Sequence, residues 1–184
     1  MEEQRNDIAR MLALLHTLTG AEYSRQVERI ARRAEFFPVQ QEENIFFTGG
    51  EQADDFDNQV AAARKVVDQG FRVYLLPNPP GIRTADFILE RKGTFKIYDL
   101  KTIHGKSSAI NRLLDSIGQT NRVILNIATD YNPSLLARDI RKYFERNIEA
   151  LEVLVLKGHK AISISRELSQ SDAFYRIFMK KYTK

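Results

Sequence analysis

Apolar residues set the first pattern in the chain. Ile8, Met11, Leu12, Leu15 and Leu18 recur at helical spacing and predict an opening helix. Thr19 and Gly20 end it, and Tyr23, Val27, Ile30, Ala31 and Ala34 form a second apolar stripe opposite Arg25, Arg29, Arg32 and Arg33. Residues 1–36 therefore read as a helical hairpin. His16 sits close to the first stripe and reads as a partly buried packing residue, and the arginine run reads first as a solvated helix face. Residues 37–53 hold a proline, a polar run and a Gly-Gly pair, so they form a connector with at most a short strand at Ile45–Phe47. Asp54 and Asp55 then cap a third helix, in which Phe56, Val60, Ala63 and Val67 share a stripe until Gly70 stops it.

The period changes after Gly70. Phe71–Leu76 (FRVYLL) is strand-like and is halted by the turn-forming PNPPG; ADFILE and TFKIYDLK follow as two more strands across the polar turn RKG. Ser107 or Ser108 can cap a helix carrying Ile110, Leu113, Leu114 and Ile117, and RVILNIA is a continuous apolar strand of the kind buried on both faces. Asn132 and Pro133 open a helix to about Asn147, with Pro133 at the first helical position, where its missing N–H does no harm. LEVLVL and AISIS pair across KGHK, and SQSDAFYRIFMKKY closes the chain as a basic amphipathic helix. The order predicts an α+β fold, helices packed around one twisted mixed β-sheet in residues 54–184, preceded by the helical hairpin.

Composition narrows the chemistry. With 43% hydrophobic and 28% charged residues the chain is of a folding type. It has no cysteine, which excludes disulfides, thiolate nucleophiles and cysteine-built zinc sites. No apolar run approaches the roughly 20 residues of a membrane span, and MEEQRNDIAR is too polar for a signal peptide, so we expect a soluble protein acting in the cytoplasm without membrane partners. A net charge of +4 and a pI near 9.3 favour an anionic partner. The chain has no G-x-x-x-x-G-K-[ST], G-x-G-x-x-G, H-E-x-x-H or G-x-S-x-G motif, which sets aside nucleotide-driven motors, dehydrogenases, zincins and serine hydrolases.

The segment ADFILERKGTFKIYDLKT carries the strongest candidate chemistry. Asp86 lies near the start of one predicted strand, and Asp99 and Lys101 lie near the end of the next. Strand alternation points Asp99 and Lys101 to one face and Leu100 to the other. Two carboxylates can hold a divalent cation that lowers the pKa of water and neutralises a phosphate, with Lys101 orienting the water or stabilising charge. The arrangement resembles the PD-(D/E)xK nucleases, whose motif maps onto Asp86, Asp99 and Lys101, although Ala85 stands where the motif usually has proline. The order of helix, three strands, helix and strand matches that superfamily's core. Members often add an acid from the preceding helix, for which Glu51, Asp55 and Asp57 are candidates.

A second resemblance covers roughly residues 54–166. ADFILERKGTFKIYDLKT with SSAINRLLDSIGQTNRVILNI is similar to the C-terminal nuclease domains of contact-dependent inhibition and related polymorphic toxins. Some of these are tRNA-cleaving enzymes grouped with barnase, EndoU, colicins and RelE; others are PD-(D/E)xK enzymes. The resemblance implies a nuclease toxin and a cognate immunity protein as partner. A metal-independent ribonuclease needs a base, an acid and cationic stabilisation, and the loop TIHGKSS offers them: His104 as proton shuttle, Lys106 for the scissile phosphate, and Thr102, Ser107 and Ser108 as hydrogen-bond donors. Asn111 and Gln119, eight residues apart, fall on or just after the next helix at positions suited to substrate contact. His159 in the KGHK turn reads as exposed and inert.

The leading expectation is a toxin-type endonuclease acting on RNA, tRNA first, with Asp86, Asp99 and Lys101 at its centre and His104 and Lys106 assisting, and with a divalent cation such as Mg only if the enzyme is not a metal-independent ribonuclease. The alternatives are a Mg-dependent PD-(D/E)xK DNase, with Asp86 and Asp99 as cation ligands, and a non-catalytic nucleic-acid or protein-binding module on the same fold.

Overall fold

The computed structural model describes residues 2–49, 54–78, 83–105 and 108–183, without the side chains of residues 2–6. Gly50, Glu51, most of the PNPPG turn, Lys106 and Ser107 lie outside the described residues.

Helix α1 (Glu2–Ala13) runs into a 3-10 turn (Leu14–Thr17), and α2 (Gly20–Ala31) follows. Ile8, Leu12 and Leu15 are buried with Val27, Ile30 and Ala31 against Leu76, Ala85, Ile88 and Ile97, so the two stripes meet as their spacing requires. His16 differs from its expected packing role. It is exposed and its ring bonds the Ala13 carbonyl, because the tighter 3-10 winding turns it off the α-helical stripe.

Strands β1 (Phe37–Pro38) and β2 (Ile45–Phe47) precede α3 (Phe56–Val67), and β3 (Arg72–Leu75), β4 (Phe87–Arg91) and β5 (Thr94–Ile103) form the expected meander. Lys92 and Gly93 connect β4 to β5 in a two-residue turn with φ of +51° and +77°. Such a turn matches the twist of the flanking strands, and glycine takes its second left-handed position without strain. Helix α4 (Ala109–Leu114), β6 (Arg122–Ile127), α5 (Pro133–Arg146), β7 (Glu152–Lys157), β8 (Lys160–Ser165), α6 (Arg166–Gln170) and α7 (Phe174–Thr183) complete the chain. The fold is α+β, with one eight-stranded mixed sheet whose strands lie in chain order. β2 and β3 run parallel, as do β5, β6 and β7, and the other neighbours are antiparallel.

The chain divides within β5, between Tyr98 and Asp99, into two compact units. In residues 99–184, Ile103, Val123, Leu125, Ile127, Val153 and Val155 make one sheet face. That face is covered by Ala109 and Leu113 of α4, Leu136, Ala137, Ile140, Tyr143 and Phe144 of α5, and Phe174, Phe178 and Tyr182 of α7. β6 is buried along both faces, as its apolar run requires.

Two local expectations changed. The closing helix is split in two. Ser171 Oγ turns back to the Leu168 carbonyl (2.9 Å), and Arg141 takes the Ser169 and Ser171 carbonyls at 2.9 and 2.8 Å, so polar groups hold the break that an uninterrupted helix would have closed. Helix α4 is short, and Ser108, at its N-cap position, makes no capping hydrogen bond with its side chain. Its first amides are held from α5 and the segment before it. Ala109 N donates to Tyr131 Oη (3.1 Å) and Ile110 N to Asp139 Oδ2 (3.3 Å), which explains a carboxylate only 4% exposed on the packed face of α5.

Asn132 caps α5 as its position before Pro133 predicts, accepting from Ser134 N (2.9 Å) and Leu135 N (3.2 Å). We expect Asn132→Ala to lower unfolding free energy by about 1 kcal/mol in urea titrations, and Asn132→Asp to retain most of it. Equal losses in the two variants would contradict this cap.

Candidate functional site

Strand β5 carries the site because its alternation sends Asp99, Lys101 and Ile103 into the face covered by α4 and α5, and Leu100 and Thr102 to the other. Asp99 is fully buried. Lys101 Nζ lies 2.8 Å from Asp99 Oδ2, and its side chain keeps 17% of its surface in solvent. The ammonium approaches outside hydrogen-bond geometry, so neither Asp99 oxygen accepts a hydrogen bond from any described residue. A buried carboxylate ordinarily has its lone pairs filled, since leaving them empty costs about 1–3 kcal/mol or more for a charged group. Among the described residues the Asp99 carboxylate thus has an ionic neighbour in Lys101 and no hydrogen-bond partner.

Polar groups that the sequence reading did not select lie beneath this carboxylate. Tyr143 Oη of α5 accepts from Asn147 Nδ2 (3.1 Å) and lies 3.4 Å from Ser116 Oγ, which itself donates to the Leu113 carbonyl (2.6 Å). Tyr143 and Ser116 are fully buried. Burial raises the Tyr143 hydroxyl above the ordinary tyrosine value; its bonds with Ser116 and Asn147 oppose the shift, and the charge of Asp99 adds to it. The signal for this network was present in α5, where Tyr143 and Asn147 occupy the apolar stripe four residues apart, but Tyr143 reads as plain core by its hydrophobicity.

The other sequence candidates are distributed as follows. Asp86 is half-buried at the bend before β4, where its N–H donates to the Tyr98 carbonyl (3.1 Å), one residue before Asp99, and its carbonyl accepts from Leu76 N (2.8 Å). Thr102 Oγ1, on the opposite face of β5 from Lys101, lies 3.5 Å from Asn126 Nδ2. His104 is exposed just past the end of β5. Asn111 is exposed on α4, while Gln119 lies in the turn beyond that helix with its Nε2 on the Asp115 carbonyl (3.2 Å). Because α4 stops at Leu114, these two do not share a helical face. Among the acids suggested from the preceding helix, Asp55 occupies the N-cap position of α3 and accepts from Gln59 Nε2 (3.2 Å), and Asp57 is exposed in its first turn. His159 is exposed in the Gly158–His159 turn between β7 and β8.

No group of three or more histidine, aspartate or glutamate side chains that could hold a metal is present among the described residues. That donor set does not suit zinc, which takes three or four protein ligands. Mg is commonly held by one or two carboxylates and keeps water and substrate oxygens as its remaining ligands, and the described residues bring one carboxylate, Asp99, to Lys101.

No family model matches the chain, and no curated protein matches it. Among solved structures it is similar to a CdiA-CT/CdiI toxin and immunity complex from Burkholderia pseudomallei, with a TM-score of 0.46 and 15% identity, over 65% of this chain and 98% of that one. No described helix is long and apolar enough to cross a membrane.

Removing Lys101 leaves the Asp99 charge buried with no ion-pair partner among the described residues. Lys101→Met should lower stability by about 3 kcal/mol, and Asp99→Asn added to it should restore most of that loss, as measured by a urea double-mutant cycle. Additive losses would show that the pair is not coupled. The Tyr143 shift gives a pH signature. A pKa raised on folding leaves stability intact below the unfolded value of about 10 and removes it as pH climbs toward the folded value. The urea midpoint should therefore fall above about pH 10, and fall less in Tyr143→Phe. An unchanged pH profile in that variant would contradict the assignment.

Proposed function

We propose that the protein is an endonuclease that hydrolyses phosphodiester bonds at Asp99 and Lys101 with the help of a divalent cation. The observation that carries this reading is a fully buried carboxylate with no hydrogen bond to either oxygen, next to a partly exposed ammonium on the same strand face. A carboxylate left in this state is poised for a hard cation, and such sites hold Mg through few protein ligands. When bound, the cation supplies a water of lowered pKa and neutralises charge on the phosphate. Asp99 fixes the position of that charge through the rigid middle of β5. Lys101, with its head at the solvent boundary, stabilises the negative charge that develops on the phosphate oxygens and directs the attacking water. Asp86 enters the proposal from the sequence motif, as the second carboxylate.

The order α3, β3, β4, β5, α4, β6 is the one expected from the PD-(D/E)xK resemblance, and it supports the same assignment. The resemblance of residues 54–166 to polymorphic-toxin nucleases makes RNA, and tRNA within it, the first substrate to test, and an immunity protein the expected partner. His104 and Lys106 are retained as substrate-contacting groups of the loop after β5; they become the principal acid–base groups only in the metal-independent reading.

Incubating purified protein with total RNA and with plasmid DNA, each with and without EDTA, separates the mechanisms. Cleavage of at least one substrate that stops with EDTA is expected, and Asp99→Asn and Lys101→Ala should each slow it by roughly a hundredfold or more. Cleavage that survives chelation would replace the cation mechanism with the His104 and Lys106 one. Full activity in both variants would remove β5 from the chemistry altogether.

A further inference from the structure

The chain's positive charge is unevenly placed. Residues 1–98 carry 13 Lys and Arg against 15 Asp and Glu, while residues 99–184 carry 15 against 9. The net excess is thus confined to the second unit. Several of its cations are committed to structure: Arg166 holds the Phe144, Asn147 and Ala150 carbonyls, Arg141 holds Ser169 and Ser171, and Lys160 holds Tyr182. The remainder includes two ordered rows. Arg138, Lys142 and Arg146 recur every four residues on the exposed side of α5, and Arg176 and Lys180 repeat that spacing on α7, joined by Lys181.

Both helices turn their apolar sides into the same core, through Ile140, Tyr143 and Phe144 on one and Phe174, Phe178 and Tyr182 on the other. Their outer sides consequently belong to one helical layer. Lys142, Arg146, Arg176, Lys180 and Lys181 have no ion-pair or hydrogen-bond partner among the described residues, and Arg138 lies 3.5 Å from Asp139. Exposed acids near these rows in the chain are Glu145 on α5, Glu149 just after it, Glu167 on α6 and Asp172 just before α7. Four residues of helix rise about 6 Å, so each row sets a cation for roughly every second phosphate of one strand, at about 3.4 Å per phosphate along the axis.

We infer that the outer face of α5 and α7 is a surface for the phosphate backbone of nucleic acid, which holds substrate by charge without reading its sequence. This rests on the nuclease reading for its biological sense but on different residues for its evidence. An anionic membrane is the weaker fit. Helices that lie on bilayers need an apolar side free to enter them, and here those sides are buried in the core.

The test uses the full chain carrying Asp99→Asn, so that substrate stays intact, and measures binding of a labelled RNA and a labelled DNA duplex by fluorescence anisotropy over a series of salt concentrations. Lys142→Glu/Lys180→Glu/Lys181→Glu should weaken binding by about tenfold or more and reduce the magnitude of the log–log salt slope by roughly two to three, as expected for lost phosphate contacts. The milder Lys→Gln triple should show the same direction, which guards against a folding artefact. Arg25→Glu/Arg29→Glu, on α2, should change little. An unchanged affinity and slope in both triples, or an equal loss in the α2 control, would overturn the inference. So would triples that bind nucleic acid normally but lose binding to phosphatidylserine vesicles. Failure of the nuclease reading looks different: salt-sensitive binding through this surface with no cleavage by the unmodified protein.

Discussion

The unfilled carboxylate of Asp99 is the constraint around which the second unit is arranged. A fully buried negative charge is unfavourable unless something compensates it, and the only cation within reach among the described residues is Lys101, at 2.8 Å and outside hydrogen-bond geometry. No hydrogen bond from the described residues relieves the charge further. Tyr143, Ser116 and Asn147 satisfy one another and the Leu113 carbonyl. Fold stability alone would favour an apolar residue at this position. Local departures of this kind are expected where a fold carries a functional site, which is the role proposed for Asp99.

The scaffold explains how the frustration is kept. Parallel β5, β6 and β7 are bonded in register from Asp99 opposite Val123 to Ile103 opposite Ile127, so β5 cannot slip by one residue without sending its whole inner set to the other face. Helices α4, α5 and α7 lie over that inner set, and the first amides of α4 are fastened to Asp139 and Tyr131. Packing above and a bonded strand below fix the position of Asp99 beside Lys101.

Much of this was legible in the amino-acid sequence. The meander, the hairpin of β7 and β8, the Asn132 cap and the α+β class all follow from local signals: a change of apolar period at Gly70, the Lys92-Gly93 turn, and the Asn-Pro pair. The shared face of Asp99 and Lys101 follows from strand alternation alone. What local signals do not carry is long-range capture. Asp139 fastening α4 from 29 residues away, and Arg141 holding the break between α6 and α7, depend on chain segments brought together only by folding. The same reason hid the Tyr143 network, whose polar atoms acquire meaning only beneath a strand. His16 escapes the helical pattern because a 3-10 turn has a different period from the helix it continues.

Whether Asp99 takes a cation decides the proposed chemistry. Calorimetric titration of the intact protein with Mn, and with Mg in competition, should show saturable binding that disappears in Asp99→Asn while thermal stability is kept or raised. Cation binding that is absent from the unmodified protein, or that persists unchanged in Asp99→Asn, would contradict it.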